Sequence, residues 1–162
     1  MDYHKSVEQI IRLLESHDCW FESFEHEPVV TCKEAVKTRP GYTLEQGVKA
    51  LIIRAKIPHI GKKFVMIVFP AHQKFDTKKV NRVLNTKDIR FATVDEVLQL
   101  TDGVQPGGIP PFGNIFSLEI IADKTLFEQE KIVFNAGDRR FSLAIKSEDY
   151  LKTAKPRIEN II

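Results

Sequence analysis

The sequence predicts an α/β (α+β) chain: a mixed, largely antiparallel sheet or a partly closed barrel, with helices packed outside it. Three observations predict this. Val48–Ala55 (VKALIIRA) and Phe64–Phe69 (FVMIVF) are short runs apolar on both faces, the pattern of central strands. Strand-like and helix-like segments are interspersed along the chain, several of them joined by hairpin-length connections. They do not follow the regular strand–helix alternation of a doubly wound sheet. The length of 162 residues points to one domain, 1–162, able to bury a real core.

Each element has a local reason. Tyr3–Ser16 places Val7, Ile10, Ile11 and Leu14 at helical spacing and reads as an amphipathic helix. Trp20–His26 alternates as a strand. Thr31 and Glu34 form a capping box that opens a short helix, and Arg39-Pro-Gly-Tyr42 reads as a turn. Ile57–Lys63 is a hairpin connection between the two central strands. Asp76 caps a helix that runs through Leu84, with Val80, Val83 and Leu84 inward. Ile89–Ala92 is a short strand, and Thr93 with Glu96 forms a second capping box for a helix through Leu100. Three more strands are expected at Ile115–Ile121, Lys131–Asn135 and Arg140–Ile145, with Ala136-Gly-Asp138 as the turn between the last two. Ser147 is expected to cap a final helix, Glu148–Ala154, with Pro156 just beyond it.

Composition excludes several classes of function. Hydrophobic content of 43% and charged content of 28% are those of an ordinary globular chain. A formal net charge of +2 excludes a polybasic binder but not a protein that touches a few phosphates. Cys19 and Cys32 are too few for a disulfide scaffold, and no CxxC or HxxxH spacing makes a metal set, so no metal and no cofactor is expected. The polar start carries no signal-peptide core, and no run is apolar enough to span a membrane. A reduced, cytoplasmic compartment is the expectation.

The densest local signal is Gly103–Gly113, GVQPGGIPPFG, which holds four of the eight glycines together with three prolines. Glycine lets a ligand approach the backbone, and proline fixes φ and removes a donor. The result is a stiff loop that presents a few chosen N–H groups; a structural turn would use the same residues. Lys49 heads VKALIIRA and by alternation shares a face with Leu51 and Ile53. It either snorkels to water or meets an anion. Asn135-Ala-Gly-Asp138 suits a hairpin turn. No GxSxG elbow and no GxGxxG after a strand is present, and nothing around either cysteine activates a thiolate. His4, His17, His26, His59 and His72 are scattered; His72 follows a strand end, where sites often sit.

Taken in order, HEPVVTCKEA, VKALIIRA, FVMIVFPAHQKFDTKKVNRVL, GVQPGGIPPFG and FNAGDRRFSLAIKSEDYLK resemble the YbaK/ProX family. These are free-standing relatives of the editing domain inserted in bacterial prolyl-tRNA synthetases. The resemblance covers nearly the whole chain and includes the family's GxxxP loop as Gly107–Pro111. It implies hydrolysis of the ester joining a wrong small amino acid (alanine, cysteine, serine or threonine in different members) to tRNA. It implies that Gly107, Gly108, Ile109 and Pro111 form the catalytic loop, and that Lys49 holds the acceptor end. Pro110, Phe112, Gly113, Asn135, Ala136 and Gly137 would complete the substrate side. Backbone N–H groups of Gly107, Gly108 and Ile109 would stabilise the ester oxyanion. A vicinal ribose hydroxyl would help position the water, so no protein nucleophile is needed. Many members carry Ser, Thr or Gly where this chain has Pro110, so no side-chain hydroxyl is available there.

Two other classes of function remain open on the sequence. One is a non-catalytic module that binds aminoacyl-adenosine-like ligands. The other is a protein that docks on an aminoacyl-tRNA synthetase through Lys74, Lys78, Lys79 and Arg82, residues that equally suit a solvated helix face.

Overall fold

The structure is a computed structural model that describes residues 2–29 and 31–162, without the side chain of Cys32. Helix α1 (Lys5–Ser16) forms where apolar residues recur at helical spacing, and it buries Val7, Ile10 and Leu14. Strand β1 (Phe21–Glu25) follows. Helix α2 (Cys32–Lys37) opens on the expected capping box: the Glu34 N–H donates to Thr31 Oγ1, and the Thr31 N–H donates to the Glu34 carboxylate.

The two runs apolar on both faces become β2 (Val48–Ile57) and β3 (Gly61–Pro70), an antiparallel hairpin in register from Val48↔Pro70 to Ile57↔Gly61. Helix α3 (Thr77–Leu84) is capped by Asp76, which accepts from the N–H groups of Lys78 and Lys79. Strand β4 (Asp88–Phe91) and helix α4 (Val94–Thr101) follow, α4 opening on the second capping box of Thr93 and Glu96. After the Gly/Pro loop come β5 (Glu119–Asp123), β6 (Lys131–Asp138), β7 (Phe141–Lys146), α5 (Ser147–Ala154) and β8 (Arg157–Glu159).

Of the arrangements the sequence allows, the open one is adopted. The strands make a three-stranded sheet, β1-β7-β6, and a five-stranded sheet, β4-β2-β3-β5-β8, rather than a closed barrel. The smaller sheet is antiparallel; in the larger one β3–β5 and β5–β8 run parallel. The alternation of β2 explains why it had to be apolar on both faces. Val48, Ala50 and Ile52 enter a core shared with the smaller sheet, α1, α4 and α5. Ile53, Ala55 and Ile57 enter a second core with Val80 and Leu84 of α3.

Three local expectations are corrected. Residues Gly113–Phe116 form a 3-10 turn ended by left-handed Ser117, so β5 starts at Glu119 and not Ile115. Ala136-Gly-Asp138 is not the turn. It lies inside β6 as an irregularity of register, and the chain reverses at Arg139–Arg140 instead. Ser147 does not cap α5: its hydroxyl donates to the carbonyl of Gln129, and Lys146 holds the cap position.

Arg140 closes that reversal by gripping Asp138, with Nε and the terminal nitrogen each 2.9 Å from a carboxylate oxygen. This hydrogen bonding holds the Asp138 carboxyl down at about 2. A depressed pKa in the folded state contributes stability in full above the ordinary carboxylate value, lost as pH falls toward 2. Asp138→Asn should therefore melt below wild type at pH 7, with the gap closing as the pH approaches 2 in thermal scans. A gap that stays constant with pH would contradict this assignment.

Candidate active site

The two sheets touch at Gly47, whose backbone bridges in parallel to Val133 of β6. A cleft of about 160 Å³ opens beside this junction. Lys49 and Leu51 reach it from the head of β2, Asn135 from β6, Gly107 and Ile109 from the Gly/Pro loop, and Arg39 from the segment after α2. The topology thus brings together four residues the sequence singles out, Lys49, Gly107, Ile109 and Asn135, and adds Arg39.

Lys49 is exposed, while Val48 and Ala50 on either side are buried. It lies across the ladder from Phe69 and on the face of Leu51 and Ile53. Its ammonium therefore stands at the rim of an apolar surface, available to an anionic or strongly polar ligand.

The loop divides into a presenting half and an anchoring half. Gly107 has φ +89°, the left-handed region, so its glycine is required by the backbone. The N–H groups of Gly107 and Ile109 make no hydrogen bond among the described residues. Gly108 differs from expectation. Its N–H donates to the Gln105 carbonyl at 2.9 Å, so it closes the turn and is not a free oxyanion donor. A Cβ at 108 would meet the backbone nitrogen of Arg139 and the carbonyl oxygen of Gln105, each at 3.3 Å.

The remaining loop residues lie away from the cleft wall. Pro110 and Pro111 are buried, and the Pro111 carbonyl accepts from Tyr150 Oη at 2.7 Å. Phe112 is fully buried against Phe134 and Tyr150, with ring centroids 5.6 and 5.5 Å away. Gly113 has no room for a side chain, because a Cβ would sit 2.9 Å from Ile120. Ala136 is in the core, and Gly137 lies against Ser6 of α1. Pro110, Pro111, Phe112, Gly113, Ala136 and Gly137 thus hold the site's frame and do not line it.

A hydrogen-bonded chain ties the presenting half down. Asn135 Nδ2 donates to the Gly107 carbonyl at 2.8 Å. Asn135 Oδ1 accepts from the Arg39 guanidinium at 3.0 Å, and Arg39 Nε donates to Ser142 Oγ at 3.0 Å. His26 Nε2 sits 2.7 Å from the same hydroxyl, and its Nδ1 donates to the Glu27 carbonyl. Arg39 is 7% exposed, and a buried guanidinium lowers the cost of desolvation by finding such acceptors. Sequence reasoning placed Arg39 only in a turn and missed Ser142. No local pattern marks either, because their partners lie about a hundred residues away along the chain.

The Cys19 thiol and His72 are not among the residues that line this cleft. Cys19 is buried, and burial pushes its thiol up, away from the reactive thiolate. Cys32 lies outside the described side chains. His72 is exposed, with its Nε2 3.3 Å from the side-chain nitrogen of its neighbour Gln73. On α3, Lys79 is used within the chain, donating to the carbonyl of Ile162 and to Asn160.

A small cleft lined by two residues with unbonded N–H groups and by an exposed lysine, with no activated nucleophile among the described residues, defines a class: a site for a compact polar group, such as an activated acyl ester. Comparison with known proteins gives the family. Residues 26–153 match the aminoacyl-tRNA editing domain, and the chain belongs to that family. It is 34% identical over 94% of its length to the multifunctional Ser/Thr-tRNA deacylase ProXp-y of Escherichia coli (strain K12), covering 90% of that protein. It is 27% identical to the prolyl-tRNA editing protein ProX of Acetoanaerobium sticklandii, over 81% of this chain and 79% of the other. A crystal structure described as a candidate trans-editing enzyme for prolyl tRNA synthetase superposes with a TM-score of 0.80 at 22% identity, over 99% and 98% of the two chains.

Proposed function

We propose that this protein is a trans-acting aminoacyl-tRNA deacylase that hydrolyses the ester of a mischarged small amino acid on tRNA. The observation that carries the reading is that one small cleft is lined by Lys49 together with Gly107 and Ile109, whose N–H groups make no hydrogen bond among the described residues, in a chain of the editing family. About 160 Å³ suits a short side chain and its ester, well below the roughly 300–1,000 Å³ of pockets that swallow larger ligands. Thr31 and Thr43 on the wall give a hydroxylated side chain polar company. Serine and threonine esters are therefore the first substrates to test, in keeping with the activity named for the E. coli relative.

The chemistry needs few groups. A water adds to the ester carbonyl carbon, and negative charge develops on the carbonyl oxygen. The N–H groups of Gly107 and Ile109 receive that charge without reorganising, because Asn135 and the prolines fix the loop. The bond from carbon to the ribose oxygen then breaks, and the water's proton passes to that oxygen by way of the vicinal ribose hydroxyl. Lys49 holds the acceptor end by a charge-assisted contact. The protein works in the cytoplasm, where charged tRNA is found, and a synthetase can serve as a further partner.

The deciding experiment is a deacylation panel of tRNAs charged with serine, threonine, alanine, cysteine or proline. Hydrolysis of one or more small esters above the buffer rate is expected, and buffer-level rates for all of them would sink the reading. Lys49→Ala should lower kcat/KM on the preferred substrate about tenfold, the worth of one charge-assisted contact. Its melting temperature should stay within about 2 °C of wild type, since the side chain is exposed. Wild-type kcat/KM in a folded Lys49→Ala variant would remove Lys49 from the site.

A further inference from the structure

The sheet face that carries Lys49 also carries a row of phenylalanines that the fold leaves open at one end. Phe69 lies directly across the β2–β3 ladder from Lys49. Its ring centroid is 5.8 Å from that of Phe75, and Phe75 is 5.8 Å from Phe91, both pairs edge to face. Phe69 is buried and Phe75 half-buried, whereas Phe91 is 59% exposed. Phe91 ends the edge strand β4 directly opposite Ile53, so it stands on the same face as Lys49 and Leu51. Ile53 lies four positions along β2 from Lys49, about 13 Å along the strand. The segment carrying Phe75 starts at Ala71 on the cleft wall and exposes Lys74 just before the ring.

We propose that Phe91 is a stacking platform for a nucleobase in the unpaired 3′ strand of tRNA, one step or more inward from the aminoacylated terminal adenosine. The proposal rests on the deacylase reading for the placement of that terminal adenosine at the cleft. Phe75 steadies the platform from the side, and its open face accepts any base, since every base presents a π-face. Lys74 lies alongside the connecting phosphates. The surface favours nucleic acid over protein. One exposed ring and part of a second fall far short of the roughly 1,600 Å² that a stable protein pair buries. The cations along the row, Lys49 and Lys74, complement a phosphate chain.

The test compares wild type, Phe91→Ala, Phe91→Leu and Phe91→Trp under single-turnover conditions on two substrates. One is full-length tRNA charged with the amino acid that the wild type clears best; the other is the same amino acid esterified to adenosine alone. Phe91→Ala is expected to raise the enzyme concentration giving half-maximal rate on tRNA by about fivefold or more, with the maximal rate unchanged. Phe91→Trp should match or improve on wild type, and Phe91→Leu should resemble Phe91→Ala. Hydrolysis of aminoacyl-adenosine should be the same in all four proteins. Equal effects on both substrates, or full retention by Phe91→Leu, would overturn the platform. So would sedimentation showing that Phe91→Ala splits a wild-type dimer, which would make the ring a self-association contact. A wild type inactive on every charged tRNA would sink the deacylase reading, whereas an active wild type indistinguishable from Phe91→Ala sinks the platform alone.

Discussion

Gly107→Val is expected to slow single-turnover deacylation by about 10²–10³-fold, the usual effect of losing one oxyanion donor. Gly107 sits at φ +89°, where a β-branched residue is a genuine outlier costing about 1–3 kcal/mol. The added Cβ itself meets only Arg139 Cδ at an ordinary 3.6 Å, so the strain is in the backbone and not in a clash. Relaxing that strain rotates the peptide units on either side. These carry the Gly107 N–H and the carbonyl that Asn135 grips at 2.8 Å. The loop is exposed at this residue, so the stability loss is small beside the kinetic one. Deacylation and thermal unfolding measured on the same preparation separate the two. A variant that melts lower yet deacylates at the wild-type rate would make the loop a structural turn only. Gly108→Val is a useful contrast. Position 108 is not left-handed, and its N–H is committed to Gln105, so its effect arrives through crowding of the Arg139 and Gln105 backbone rather than through a lost donor.

Gly137→Ala is expected to be the most destabilising single methyl addition at a glycine of this chain. A Cβ there would lie 1.7 Å from Ser6 Oγ and 3.0 Å from Ser6 Cβ, on a helix that is packed into the core. Overpacking of this kind costs about 1–3 kcal/mol, and the left-handed φ of +106° adds about 1–2 kcal/mol more. A combined loss of roughly 3 kcal/mol lowers the melting temperature of a chain this size by about 6–12 °C. Ser6→Gly in the same chain should recover the part due to the clash and leave the part due to φ. If Gly137→Ala melts like wild type but stops turning over, Gly137 contacts substrate after all, and its assignment as a packing residue fails.

The resemblance put six residues in the site that the structure uses to hold it. Phe112, Gly113 and Ala136 are the clearest cases. Each lies next in sequence to, or a few residues from, a true cleft residue, and each turns into the core. In β6 neighbouring side chains face opposite ways, so Asn135 meets the cleft and Ala136 the core, while Phe112 and Gly113 lie where the loop turns into a 3-10 helix packed inside. Arg39 is the opposite case. It sits in Arg39-Pro-Gly-Tyr42, read as an ordinary turn, and it becomes a buried cleft residue only because Ser142 and Asn135 arrive from β7 and β6.

The sequence by itself determined what local physics can determine. Two strands apolar on both faces had to be central, because leaving either face in water would expose too much apolar surface. Both Thr–Glu capping boxes formed where they were written, since cap and helix lie within one turn of chain. The Gly/Pro loop had to be stiff, whatever it faced. Which of its N–H groups stay unbonded needed the folded loop itself, because Gln105 takes the Gly108 N–H through a local turn that composition does not specify. Only the tertiary structure decided the site's floor. The Arg39–Asn135–Ser142 chain joins the segment after α2 to the β6–β7 hairpin about a hundred residues later, and such contacts depend on how the chain packs beside the junction of Gly47 and Val133. Hydrogen bonds of that range leave no periodic trace in the sequence, whereas burial, with its fixed repeats of two and 3.6, does.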